Sequence, residues 1–273
     1  AARVMVAVAT LRDCGAARGV LSTTPRIVPV PAVSSERRVE LLGIAVDPLD
    51  LAGAVACVLG WAQGERGAEC RFVVTPNINH LVMLERHAGL QEAYRHAALV
   101  VADGTPLVWY ARLAGVPLPG RVAGSDLVPS LFAAASRERP LRAYLLGAAP
   151  GIGERAAAKI RARYPGVEVV GTYSPPLGFQ DDAAETTAIL ARIAAAAPDV
   201  LVLGLGAPKQ EVWADRHREA IAAKVALCVG ATIDFLAEAQ PRAPVWMRRA
   251  GLEWTFRVAR EPRRLAGRYL RDG

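Results

Sequence analysis

Several common chemical signatures are missing from this chain of 273 residues. Its cysteines, Cys14, Cys57, Cys70 and Cys228, form no Cys-x-x-Cys pair, and no histidine stands at metal-ligand spacing beside them. A zinc ribbon and a thioredoxin-type redox pair are therefore excluded. Cys70 and Cys228 sit in or beside strand-like runs, as buried thiols do, which fits a reducing compartment. A Gly-x-x-x-x-Gly-Lys-Ser/Thr loop is absent, and so is a Gly-x-Ser-x-Gly elbow, so P-loop hydrolysis and α/β-hydrolase chemistry lose their motifs. Asp-x-Asp, a usual device for holding a divalent ion on a diphosphate, occurs nowhere. No apolar run is long enough to cross a bilayer. The run Val4–Ala9 is too short for a signal segment and is followed at once by Arg12 and Asp13. A cytoplasmic chain is expected.

What is present points to an α/β protein. The length allows one large domain or a domain and a half, with ample apolar content for a core. The net charge of +7 is concentrated at one end: from Arg242 onward there are nine arginines against Glu253, Glu261 and Asp272. A basic tail on a nearly neutral body suggests an anionic partner: phosphate, lipid head group or nucleic acid.

Residues 1–38 lack a sustained period and read as a loosely ordered extension. Val39–Val46 reads as a strand or hairpin, and Asp50 as the cap of a helix running to about Gly64. Strand Arg71–Thr75 leads to a helix over Asn79–Ala97 carrying His80, His87 and His96, whose spacing does not bring them together as ligands. Strand 99–102 precedes a helix over Leu107–Ala114, and Ser125 or Asp126 caps the next. The second half alternates regularly: strands at Leu141–Gly147, Val167–Thr172, Val200–Gly204 and Val225–Val229, with helices between. Such alternation predicts a mostly parallel, Rossmann-like sheet with helices on both faces, and short strands without polar alternation agree.

Two strand ends carry candidate chemistry. Phe72–His80 ends on Thr75 and Asn77, and Val100–Pro106 ends on Asp103 and Gly104. Ligands of open α/β sheets bind at the carboxyl ends of strands. One carboxylate among small hydrogen-bonding groups there suits a base that takes a proton from a hydroxyl. Asn77 or Asp103 taken alone reads first as a helix cap; two such strand ends in one domain shift the balance toward a site without deciding it. Arg121 lies in a loop where it can face an anion or solvent. The loop from Gly147 through Gly151 to Gly153 follows a strand and opens a helix, so its N–H groups can hold a phosphate. It lacks dinucleotide spacing, and the next strand offers no acid for a ribose. Gly204 and Gly206 lead into Lys209, Gln210 and Glu211 in the first turn of a helix, where a glutamine can address a sugar or diphosphate. Asp234, read as ending the last strand, serves equally as a cap or a site residue.

In order along the chain, several stretches resemble the WecG/TagA/CpsF glycosyltransferases (glycosyltransferase family 26). They are Thr75-Pro-Asn77, Asp103-Gly104, Arg121-Val-Ala-Gly-Ser-Asp-Leu127 and Leu145-Leu-Gly147 with Pro150-Gly151. Gly206-Ala-Pro-Lys-Gln-Glu211, Val229-Gly-Ala-Thr-Ile-Asp234, Arg242-Ala-Pro244, Gly251–Arg257 and Glu261-Pro-Arg-Arg264 continue the pattern. The resemblance implies a GT-E type fold with a catalytic domain over 39–241 and an Arg-rich helical appendage over 242–273. It implies an inverting enzyme that needs no metal or cofactor and moves a hexose from a UDP-sugar to a polyprenyl-diphosphate-linked saccharide at the cytoplasmic face of the membrane. Asp103 would be the base, with Thr75 and Asn77 beside the transferred sugar. Arg121, Asp126, Gln210 and Glu211 would contact substrates, and Gly147, Gly151, Gly204, Gly206, Lys209, Gly230 and Asp234 the nucleotide. Arg257, Arg260, Arg264 and Arg268 would hold the acceptor diphosphate near an anionic membrane. Gly267 stands where members carry a further basic residue. Members use N-acetylmannosamine, its uronic acid or glucose; Asp103–Trp109 has the look of the exopolysaccharide (xanthan-type) glucosyltransferases.

Two rivals are separable. A nucleotide-binding oxidoreductase on the same sheet needs the missing ribose acid. A nucleic-acid-binding protein needs exposed aromatics or a reading helix, whereas Trp246, Trp254 and Phe256 fall among apolar residues, so nucleic acid is not the expected partner.

Overall fold

The computed structural model describes residues 38–244 together with Met247 and Phe256. The proposed extension over 1–38 lies outside that range except for Arg38, as does almost all of the basic appendage.

Six strands form one wholly parallel sheet: β3 (Arg71–Val74), β4 (Leu99–Val100), β5 (Leu141–Gly147), β6 (Val167–Tyr173), β7 (Val200–Gly204) and β8 (Val225–Cys228), in the order β4-β3-β8-β7-β5-β6. Their apolar residues divide by the two-residue period of a strand between two cores. Phe72, Val74, Leu201, Leu203, Ala226 and Cys228 belong to one. Val73, Val200, Val202, Val225 and Leu227 belong to the other. On the first face lie α2 (Ile78–Leu84), α3 (Ala88–His96), α4 (Thr105–Leu113), α7 (Ala183–Ala196) and α8 (Lys209–Arg216). On the second lie α1 (Leu51–Gln63), α5 (Gly124–Ala134), α6 (Ile152–Arg163) and α9 (Thr232–Leu236). Burial on both faces is why the strands read as continuous apolar runs.

The hairpin β1 (Val39–Leu41) and β2 (Ile44–Val46) turns through Leu42 and Gly43, both at positive φ. It is fastened to the edge of the sheet by Asp47. Its Oδ2 accepts the Val100 N–H at 2.7 Å, its own N–H donates to Val100 O at 2.8 Å, and Arg38 Nε donates to Oδ1 at 3.1 Å. Burial holds the Asp47 carboxyl above the usual carboxylate range in spite of these partners. Asp47→Ala leaves both the Val100 N–H and the Arg38 guanidinium short of a partner, and is expected to cost about 2–4 kcal/mol in urea unfolding. A loss under about 0.5 kcal/mol would show that the fastening is idle.

Three expected elements differ. The helix over Asn79–Ala97 is two helices, α2 and α3, broken at 85–87. His87 adopts an extended backbone, its Nδ1 accepts the Leu90 N–H at 3.1 Å, and Gln91 Nε2 donates to Leu84 O at 2.6 Å. Side-chain capping thus wins over an apolar period that runs on without a break. Neither Ser125 nor Asp126 caps α5; its N-cap is Ala123, with no side-chain bond, and Asp126 is occupied by arginines. The last strand stops at Cys228, so Asp234 lies in the first turn of α9 rather than at a strand end. Cys57, Cys70 and Cys228 are buried free thiols.

Candidate active site

Strand order determines where a ligand fits. β5 hands the chain outward through α6 to β6, whereas β7 hands it inward through α8 to β8, and the two helices lie on opposite faces. The carboxyl ends of β5 and β7 therefore flank a crevice at a topological switch point. Its floor is glycine. Gly147 pairs in register with Gly204 and has φ +119°, and a Cβ there would stand 2.5 Å from the Gly204 carbonyl carbon and oxygen. Gly151, in the left-handed region, precedes α6, and Gly206 (φ +80°) and Gly230 (φ +54°) turn the loops after β7 and β8. Backbone N–H groups can approach a diphosphate closely over such a floor.

At the other end of the same carboxyl edge, β3 and β4 deliver the polar residues. Thr75 is buried, with Oγ1 donating to Cys228 O at 3.3 Å, which ties β3 to β8. Asn77 caps α2, its Oδ1 accepting from the N–H groups of Asn79 (3.0 Å) and His80 (3.3 Å), so Nδ2 is the part left to meet a substrate. The Asp103 N–H donates to Pro76 O at 2.8 Å, and a Cβ on Gly104 would lie 3.7 Å from Asn77 Cβ. The two strand ends are thus one site. Asp103 does not cap α4, whose N-cap is Gly104.

Asp103 meets a chain of charges. Arg121 Nη1 lies 3.8 Å from Asp103 Oδ1, while its Nη2 donates to Asp126 Oδ2 at 2.6 Å. Arg242 donates to Asp126 Oδ1 at 2.9 Å, and to Ser125 O at 3.0 Å and Oγ at 2.9 Å. Each of these four charged side chains is less than a third exposed. The chain alternates two carboxylates with two guanidiniums and is neutral as a set, and the fork of each arginine offers further N–H donors that an anion can take up.

Gln210 and Glu211 turn inward. Gln210 Oε1 accepts the N–H groups of Gly206 and Gly230, each at 3.2 Å, and Nε2 donates to Glu211 Oε1 at 2.8 Å. Glu211 is fully buried, and burial pushes its pKa up to about 7. Lys209 is half-buried in the first turn of α8. Arg257, Arg260, Arg264 and Arg268 lie outside the described residues. Arg242, Ser125 and the His80–Tyr94 pair, with Nδ1 2.7 Å from the tyrosine hydroxyl, were missed as site neighbours. Only the prolines on either side of Arg242 and Ala243 hinted that this arginine is held in place. Among the described residues no three His, Cys, Asp or Glu side chains are grouped to hold a metal ion.

Fold and strand-end loops together define a doubly wound α/β protein with a glycine crevice at its switch point and a polar site further along the same carboxyl edge. The sequence profile of the WecG/TagA/CpsF glycosyl transferase family matches residues 39–273, and the chain belongs to that family: it is a glycosyltransferase. Curated relatives agree. An N-acetylglucosaminyldiphosphoundecaprenol N-acetyl-beta-D-mannosaminyltransferase of Staphylococcus aureus is 28% identical over 225 residues, covering 82% of this chain and 85% of its own. One of the same description from Bacillus spizizenii is 30% identical over 193 residues, 71% of this chain and 72% of its own.

Proposed function

We propose that this glycosyltransferase moves an N-acetylmannosamine-type hexose from a UDP-sugar to a saccharide carried on polyprenyl diphosphate, with inversion and without a metal ion. The observation that carries the reading is the Asp103 carboxylate at the end of β4, beside Asn77 and Arg121, on the same carboxyl edge as the glycine crevice. In this reading the acceptor hydroxyl gives its proton to Asp103 as its oxygen bonds the anomeric carbon. The bond from that carbon to the diphosphate oxygen breaks, and UDP leaves with the electron pair. Charge growing on the diphosphate is met by loop N–H groups and arginines. The relatives' descriptions support both the mannosaminyl donor and the diphosphoundecaprenol acceptor. UDP-glucose, suggested by Asp103–Trp109, is the second donor to try. The arginines at 257, 260, 264 and 268 are assigned to the acceptor diphosphate and an anionic membrane surface. Among the described residues no helix is long and apolar enough to cross a membrane.

The test is a panel of UDP- and GDP-sugars with a polyprenyl-diphosphate GlcNAc analogue, with EDTA throughout, scored by UDP release and by the anomeric configuration of the product. UDP-N-acetylmannosamine is expected to turn over with inverted product. Turnover that appears only when Mg²⁺ is added in excess of the EDTA, or a product of retained configuration, would sink the mechanism. Absence of transfer from every UDP-sugar would sink the donor.

A further inference from the structure

Glu211 is the one buried carboxyl near the site whose chemistry remains unused above. Its Oε1 accepts from Gln210 Nε2, while Oε2 is buried with no hydrogen-bond partner. A carboxyl in that setting is costly unless neutral, and any apolar residue of its size would pack there more cheaply. The consequence of having it is visible one residue away. Gln210 Oε1 takes both the Gly206 and Gly230 N–H groups, so a single amide oxygen ties the loop after β7 to the loop after β8. An amide is nearly symmetric in shape, and turned over it would set its own N–H donors against those two donors. A carboxyl oxygen facing Nε2 removes that ambiguity.

We propose that Glu211 is a positioning residue of the donor site: it holds the Gln210 amide in one orientation and thereby sets the spacing of the Gly206 and Gly230 loops around the donor diphosphate. This rests on the donor reading given under the proposed function. Facing Glu211 are Tyr94 from α3 and Cys228 from β8, both pushed upward by burial and so neutral. His80 from α2 stands behind Tyr94, and the Asp103 charge is felt at Tyr94 as well. No lysine or arginine among the described residues is a cause of the Glu211 shift. With its pKa raised to about 7, Glu211 is neutral at lower pH and the loops are held without a buried charge. Above that pH the carboxylate has no counter-charge, and it draws in water or moves, loosening the glycine loops.

The experiment measures binding of UDP-N-acetylmannosamine to the full chain by calorimetry from about pH 5.5 to 8.5, where its diphosphate does not titrate. Glu211→Gln keeps an acceptor for Nε2 but has no proton to lose; Glu211→Leu has neither. Wild-type affinity is expected to fall about three- to tenfold as pH rises through the Glu211 pKa, and Glu211→Gln to stay flat. Glu211→Leu should bind about tenfold more weakly at every pH, with KM for the donor raised, kcat at saturation kept, and faster amide exchange at Gly206 and Gly230. If Glu211→Leu does not fold, the contrast between wild type and Glu211→Gln decides alone. Wild-type affinity and exchange in Glu211→Leu, or the same pH dependence in Glu211→Gln as in wild type, would overturn the proposal. If exchange at the two glycines follows residue 211 but wild type binds no UDP-sugar, the donor reading fails and the diphosphate role falls with it, while the hydrogen-bonded clamp stands.

Discussion

Turnover of the Asp103→Asn protein is expected to fall by a factor of about 100 to 10,000, with donor affinity changed by less than about threefold. Asparagine keeps the shape of the side chain and can still face Arg121, which retains Asp126 as its second partner. What it cannot do is accept the proton of an acceptor hydroxyl as the new glycosidic bond forms. Asp103 does not cap α4, so its replacement takes no cap away from that helix. Chemistry and folding should therefore separate: UDP release in a single turnover collapses while the thermal midpoint holds. Turnover within tenfold of wild type would move the base elsewhere. A midpoint that falls in step with activity would make Asp103 a structural residue.

Gly147→Ala is expected to lower stability by about 2–6 kcal/mol, the sum of a strained φ and an overpacked contact. Its Cβ would meet the backbone carbonyl of Gly204 at 2.5 Å, and backbone cannot rotate away as a side-chain tip can. β5 and β7 would have to part at the switch point, so nucleotide binding should fail along with stability. Gly151→Ala is the control. It has φ +81° but nothing within 4 Å of the added carbon, so its cost should be about 1 kcal/mol from conformation alone. Equal losses for the two in urea unfolding would mean that the close approach at Gly147 carries no weight.

Much of this architecture could be read from residue patterns, because in a doubly wound fold local and global preferences agree. Strand Leu141–Gly147 and the helix from Ala183 stand where apolar runs and glycines put them. The break at His87 was not legible, since a histidine nitrogen acting as a cap leaves the hydrophobic period untouched. At the site, Thr75, Asn77 and Asp103 stood out as polar residues at strand ends and Arg121 as a loop arginine, and the structure brings Asn77, Asp103 and Arg121 together. Arg242 did not, because its partners Ser125 and Asp126 are more than a hundred residues away in the chain. The inward turn of Gln210 and Glu211 was equally hidden: the first turn of a helix after a loop is ordinarily wet, and only the packing of α8 against the sheet and α3 makes these two positions dry.

Among the described residues β8 is the last strand to be made, yet it is placed between β3 and β7 at the middle of the sheet, with Arg71 opposite Val225. Until residues 225–228 have left the ribosome, β3–β4 and β5–β6–β7 are two separate ribbons, each with a bare inner edge. The Thr75 hydroxyl and the Gln210 amide then lack the Cys228 carbonyl and the Gly230 N–H they later bind. Closure of the sheet and assembly of the site are consequently one late event of high contact order. A nascent chain halted before β8 exposes two edges able to pair with other chains, and it has no partial activity to show for what it has already folded.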